Sequence, residues 1–136
     1  MKSYLCAVLG VMGARIASAF GGWSAALTTL IIFMAIDYLS GLILAGVFHR
    51  SSKTESGALE SKAGWKGLCR KGLTLLIVVV ASRLDVMLGT TFVKDAVCIA
   101  YICNEAISIL ENAGLMGVPI PKAVKNAIEI LKKKGE

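Results

Sequence analysis

The sequence predicts an all-α integral membrane protein with three or four transmembrane helices, including a tight C-terminal hairpin, and a short amphipathic C-terminal helix. Three observations support this prediction. The 136-residue chain is 56% hydrophobic and 18% charged, with a mean hydropathy of +0.72, whereas about a quarter of the residues in soluble domains are charged. Its apolar residues form runs long enough to cross a bilayer. Its basic residues lie between and after these runs, as in cytoplasmic loops of membrane proteins.

The sequence predicts a single membrane domain over residues 1–136. Its first apolar run covers residues 4–22. Small residues recur along it in steps of three and four, which lets helix backbones approach closely in lipid. This candidate helix-packing face comprises Ala7, Gly10, Ala14, Ala17 and Gly21. Three interpretations stay open: a spanning helix, an interfacial helix with Arg15 reaching water, or a cleaved signal peptide.

The second run, residues 24–48, is the clearest predicted span. At about 1.5 Å per residue it is longer than the ~30 Å hydrocarbon core of a bilayer. Asp37 lies inside this run and shares a helical face with Ser40. Because an unpaired carboxylate is costly within a membrane, Asp37 is expected to face another helix or water.

The third and fourth runs, 73–93 and 95–115, follow a polar loop at 49–72 and predict a helical hairpin with a tight turn at Lys94 and Asp95. Arg83 and Glu105 are equally far from this turn, so an ion pair between them is feasible. Asp85 is an alternative partner for Arg83 because it lies only two residues away in the sequence. However, side chains at positions i and i+2 of a helix point in different directions. Two interpretations stay open: a neutralised internal network or a water-lined surface.

The fourth run carries polar residues at spacings that form one stripe on a helix. Together with the polar residues of the earlier runs, this stripe defines a candidate pore-lining or oligomer-forming face. Its members are Asp37, Ser40, Arg83, Asp85, Asn104, Glu105, Ser108, Glu111 and Asn112.

The distribution of basic residues predicts the topology. With four spans, the 49–72 loop and the C-terminus lie in the cytoplasm, and only Lys94 lies on the opposite side. After Pro119-Ile120-Pro121, residues 122–134 predict an amphipathic helix suited to the anionic inner leaflet. Its basic residues are Lys122, Lys125, Lys132, Lys133 and Lys134.

The sequence carries no recognisable catalytic, cofactor-binding or metal-binding motif, so neither an enzyme nor a cofactor is predicted. The four cysteines lack metal-ligand spacing and are interpreted as free thiols. The net charge of +6 is explained by the basic loops, and nucleic-acid binding is not predicted.

Three segments resemble the toxin-secretion/phage-lysis holin family. They are Asn104–Asn112 followed by Gly117–Pro121, then Asp37–Gly41, and the basic segment Ser61–Gly67 with Arg70 and Lys71. They occur in the order found in that family and span most of residues 24–121.

The resemblance implies a phage or prophage holin of the bacterial cytoplasmic membrane, without enzymatic activity. Such a protein forms homo-oligomers in the lipid bilayer and opens lesions that release an endolysin or toxin, which need not bind it directly. A small proton- or ion-coupled transporter and a structural membrane-assembly protein are the alternatives.

Overall fold

The computed structural model describes residues 1–135, which form five α-helices and no β-strand. The helices are α1 (Lys2–Ala19), α2 (Ala25–Gly46), α3 (Ser61–Leu88), α4 (Val93–Leu115) and α5 (Lys122–Gly135). The all-α prediction is therefore confirmed. Within this described part of the chain, α2 alone has the length and apolar composition of a membrane span. The larger number of spans stays a prediction.

Helix α2 has a buried face and an exposed apolar face. Its N-terminus is capped by the Ser24 hydroxyl, which accepts a hydrogen bond from the Leu27 amide at 3.1 Å. The buried face includes Leu27, Leu30 and Met34, spaced by three and four residues. Another row of the same helix is exposed along its length and comprises Ile32, Ile36, Leu39 and Ile43.

Helix α3 begins at Ser61, so the second half of the loop predicted at 49–72 is helical instead. Close packing against α2 explains why three glycines do not prevent this. The Tyr38 hydroxyl donates to the Gly64 carbonyl at 3.3 Å, and a Cβ at Gly64 would lie 3.4 Å from the same hydroxyl. Helices α2 and α3 are therefore in contact at Gly64, where a Cβ would lie at ordinary van der Waals distance from Tyr38.

The turn of the C-terminal hairpin lies earlier than predicted. Helix α3 ends at Leu88, and Gly89 follows in the left-handed conformation, with φ of 67°, which glycine adopts at low cost. Helix α4 begins at Val93, so Lys94 and Asp95 belong to its first turn and not to the connection.

Helix α4 contacts α2, α3 and α5, and this arrangement places the core between α2, α3 and α4. The main buried cluster comprises Leu27, Leu30, Met34, Val78, Cys98 and Ile102. Helix α5 doubles back along α4, with Leu131 against the core and Gly135 beside Ile99. Among helices in residues 1–135, α1 contacts α3 alone and contains no buried residue.

Candidate functional site

Six side chains from three helices form a buried polar cluster within the apolar bundle. Helix α2 contributes Asp37 and Ser40, α3 contributes Lys71, and α4 contributes Glu105, Ser108 and Asn112. The α4 residues are spaced by three and four positions, so they share one helical face. Helix α4 therefore presents half of the polar cluster to its two neighbours.

Lys71 joins the two carboxylates of the polar cluster. Its Nζ lies 2.8 Å from Asp37 Oδ2 and 2.7 Å from Glu105 Oε2. The side chains of Lys71, Asp37 and Glu105 are only 15%, 6% and 14% exposed, respectively. Removing Lys71 would leave two mostly buried carboxylates without a cation, which is destabilising.

The other oxygen of Asp37 is held by α4. Oδ1 accepts hydrogen bonds from the Ser108 hydroxyl at 2.6 Å and from Asn112 Nδ2 at 3.2 Å. Asn112 Nδ2 also donates to Ser40 Oγ at 2.9 Å. From residue 1 to residue 135, every buried side-chain nitrogen and oxygen has a hydrogen-bond partner. The buried atoms of the polar cluster are therefore hydrogen-bonded within a single chain.

The predicted Arg83–Glu105 ion pair is wrong. Arg83 is exposed on α3, and Glu105 pairs with Lys71. The pairing was missed because Lys71 falls within the segment predicted as a loop. The continuation of α3 back to Ser61 places Lys71 against α2 and α4. The four-residue spacing of Lys62, Lys66 and Arg70 was the sequence signal for this helix.

Asp85 lies outside the polar cluster and caps the N-terminus of α4. Its carboxylate accepts from the Val93 and Lys94 amides, both at 2.9 Å, and from the Thr90 hydroxyl at 2.6 Å. These bonds satisfy two helix-terminal amides that lack partners within the helix. Lys94 is also buried, and its Nζ donates to the Gly22 carbonyl at 3.0 Å.

Two residues of the predicted polar stripe, Asn104 and Glu111, are exposed on α4. Asn104 lines an open cavity of about 480 Å³ beside the polar cluster. The polar stripe therefore divides into a buried part, which one chain satisfies, and an exposed part that stays available to solvent or to another molecule.

The predicted α1 packing face is largely exposed. Ala7, Gly10 and Ala14 are exposed, and Ala17 is partly buried. At the end of this face, Gly21 approaches the Ser82 hydroxyl of α3. Most of the face therefore stays uncovered in one chain.

The apolar face predicted for the C-terminal helix exists and is directed toward α2 and α4 across an open groove, with Leu131 packed against the core. Val124, Ala127, Ile128 and Leu131 line a groove with residues of α2 and α4. The five lysines predicted for the inner leaflet, Lys122, Lys125, Lys132, Lys133 and Lys134, are all exposed.

The cysteines are free, with Cys98 and Cys103 buried and Cys6 and Cys69 exposed. Over the described range, no group of three His, Cys, Asp or Glu side chains is placed to hold a metal ion.

These features define a helical bundle with one membrane-span-like helix and a buried charge network. The chain belongs to the bacteriophage holin family, whose model matches residues 14–133. This confirms the resemblance found in the sequence. Family membership implies a non-enzymatic protein of the bacterial inner membrane. No solved structure matches the chain.

The chain is similar to several bacterial and phage proteins. It is 40% identical to an uncharacterized 14.9 kDa protein of Clostridium perfringens, over 85% of this chain and 83% of that protein. It is 36% identical to an uncharacterized protein of Halalkalibacterium halodurans, over 97% and 96% of the two chains. It is 31% identical to a probable holin of Bacillus phage phi105, over 77% and 73%.

Proposed function

We propose that this protein is a holin that oligomerises in the bacterial cytoplasmic membrane and opens lesions through which an endolysin or toxin leaves the cytoplasm. The observation that carries the proposal is the family match over residues 14–133, together with similarity to a probable phage holin. The endolysin or toxin follows the lesion and needs no direct contact with the holin.

The distribution of exposed apolar side chains supports a membrane position. Helix α2 exposes a continuous apolar row, from Ile32 at 51% to Ile43 at 48%, and α1 exposes apolar side chains on all sides. A soluble protein rarely exposes contiguous apolar surface on this scale. Lipid covers such a surface without the cost of exposing it to water.

In the proposed topology, three or four helices span the membrane, and residues 49–60 and the C-terminus lie in the cytoplasm. Helices α2, α3 and α4 are three of these spans, and α1 is a fourth or an interfacial helix. The basic N-terminal half of α3 and the lysines of α5 then lie on the cytoplasmic side, as expected from the preference of basic residues for that side.

The position of α5 bears on this topology. Gly135 lies beside Ile99 near the beginning of α4, so α5 now covers much of the length of that helix. When α4 spans the membrane, α5 leaves this groove and its lysines attach to the inner leaflet, at about 1 kcal/mol per charge. A disulfide that forms efficiently between Ile99→Cys and Gly135→Cys in intact membranes would contradict this rearrangement.

The Asp37–Lys71–Glu105 network favours a second candidate function, a small proton- or ion-coupled transporter. Charged residues within membrane segments are often part of such pathways, and this network borders a cavity. A transporter predicts saturable, substrate-dependent flux and no release of proteins.

Controlled induction in bacteria tests the holin function. Expression of the chain is expected to collapse the membrane potential and, with a cytoplasmic endolysin present, to cause abrupt lysis. Cells that express either protein alone or neither protein are the controls. Continued growth with a normal membrane potential, despite confirmed membrane insertion of the chain, would contradict the proposal.

A matched pair of substitutions on α4 tests the role of the polar cluster. Glu105→Gln removes one charge partner of Lys71, so we expect it to change the time of lysis more than the amount of inserted protein. Glu111→Gln is the control, because it makes the same chemical change at an exposed position. Equal lysis times for Glu105→Gln and the unmodified chain would show that Glu105 has only a passive structural role.

A further inference from the structure

The cavity beside the polar cluster has a strongly basic rim. Four basic side chains line it: Lys53 from the loop between α2 and α3, and Lys62, Lys66 and Arg70 from α3. All four are exposed, and of the rim residues only Glu60 is acidic. The volume of about 480 Å³ lies within the range of small-ligand sites.

The floor of the cavity differs from its rim in charge. Lys71, Asp37 and Glu105 form the floor together with Ser108, and Lys71 is already bound to both carboxylates. Two carboxylates outweigh one ammonium group, so the floor repels an anion. An anionic group is therefore held at the rim, by basic side chains that have no partner among the salt bridges of residues 1–135.

The surface of α3 below the rim is apolar. Leu73 and Ile77 continue the helical row of Lys66 and Arg70, and they are 60% and 41% exposed. One flank of α3 thus carries cationic side chains above an exposed apolar surface. This arrangement matches an amphiphile whose phosphate lies at the rim and whose hydrocarbon lies along Leu73 and Ile77.

We propose that this cavity is a binding site for the phosphate headgroup of an anionic phospholipid of the inner leaflet. The proposal rests on the proposed topology, in which Ser61–Arg70 lies on the cytoplasmic side of the membrane. Basic pockets at this level of membrane proteins bind anionic lipid headgroups. Free phosphate carries the same anionic group but has no hydrocarbon to contact Leu73 and Ile77.

The test uses full-length protein reconstituted into bilayers of phosphatidylcholine that contain a minor fraction of phosphatidylglycerol. Spin-labelled lipids report the preference of the protein for phosphatidylglycerol over phosphatidylcholine. The pocket variant is K62Q/K66Q/R70Q. The control is K2Q/R15Q/R83Q, which loses the same number of positive charges at exposed positions outside the cavity.

We expect the pocket variant to lose this preference by roughly fivefold or more, the equivalent of at least one basic contact, and the control to keep it. Equal losses in the two variants would overturn the site in favour of general charge attraction. Displacement of phosphatidylglycerol by millimolar inorganic phosphate would overturn the lipid assignment in favour of a free-phosphate site. Because lysis is not measured, failure of this site is distinguishable from failure of the holin function.

Discussion

The bundle of α2, α3 and α4 differs from the helix α1 in how its side chains are buried and paired. The bundle buries charged and amide groups and satisfies them internally through Lys71, Asp37, Glu105 and Asn112. Helix α1 contains no buried residue and exposes Leu5 at 61% and Val11 at 61%. The bundle thus satisfies its buried polar groups within a single chain, whereas α1 has no side chain buried by the rest of the chain.

This difference predicts that the bundle determines the stability of one chain and that α1 determines the association between chains. The polar cluster links α2, α3 and α4, so its side chains are engaged within one chain. In the proposed oligomer, the small-residue face of α1 is the surface through which copies would pack in lipid. Substitutions in the bundle should therefore change the stability of one chain, whereas substitutions in α1 should change association between chains.

The largest effect is expected for Lys71→Met. It removes the cation that Asp37 and Glu105 share. Because both carboxylates line an open cavity, we expect a loss in the free energy of unfolding toward the lower end of the range of about 3–5 kcal/mol that is typical of a fully buried pair. Thermal unfolding in detergent, followed by circular dichroism, measures the loss. Arg83→Met on the same helix is the control, since Arg83 is exposed. Similar destabilisation by both substitutions would mean that the Lys71 ion pairs contribute nothing specific.

A smaller effect is expected for Asn112→Ala. The substitution removes the hydrogen bonds to Asp37 and Ser40, and Asp37 keeps its contacts with Lys71 and Ser108. We expect a loss of about 1–3 kcal/mol in the free energy of unfolding. A double-mutant cycle with Ser40→Ala measures the coupling of the two residues. Additive effects in that cycle would rule out the Asn112–Ser40 interaction.

Asp85→Asn tests the cap of α4. The neutral amide accepts less strongly from the Val93 and Lys94 amides, so we expect a lower free energy of unfolding, with a smaller loss than for Asn112→Ala. Asp95→Asn, an exposed position in the first turn of the same helix, is the matched control and should cost less. If Asp95→Asn is the more harmful change in thermal unfolding, the assignment of Asp85 as the cap is incorrect.

The smallest effect on the stability of one chain is expected for Gly10→Leu in α1. No atom lies within 4 Å of a Cβ built at Gly10, so the unfolding free energy should be nearly unchanged, while cross-linking between copies in membranes should fall. Met12→Leu, on the opposite side of α1, is the control. Undiminished cross-linking with Gly10→Leu would exclude the small-residue face as an interface.

Much of the architecture was predictable because hydrophobic periodicity is a local property of the sequence. The helix over Ala25–Gly46 and the C-terminal hairpin follow from apolar runs and their interruptions. The N-terminal extension of α3 was missed because its glycines and basic residues are typical of loops. This segment contacts Tyr38 of α2, a tertiary interaction that the sequence does not reveal. The four-residue spacing of Lys62, Lys66 and Arg70 is its one local helical signal.

Most residues of the candidate site could be predicted from the sequence, but the partners within the site could not. Asp37, Ser40, Glu105, Ser108 and Asn112 were identified from helical spacing, and the structure brings them together. Lys71 was missed as a member of this site, and the partner of Glu105 was therefore assigned incorrectly. The packing of α5 along α4 could not be predicted from the sequence either, since an amphipathic helix fits a membrane surface and a protein groove equally well.

Release of markers of graded size from vesicles tests the central claim most directly. If chains whose buried polar groups are already satisfied assemble into lesions, release should begin sharply above a threshold ratio of protein to lipid and include folded proteins of endolysin size. Flux that rises in proportion to protein at every ratio, saturates with substrate and is limited to small ions would contradict the claim. It would instead identify the buried charge network as a transport site.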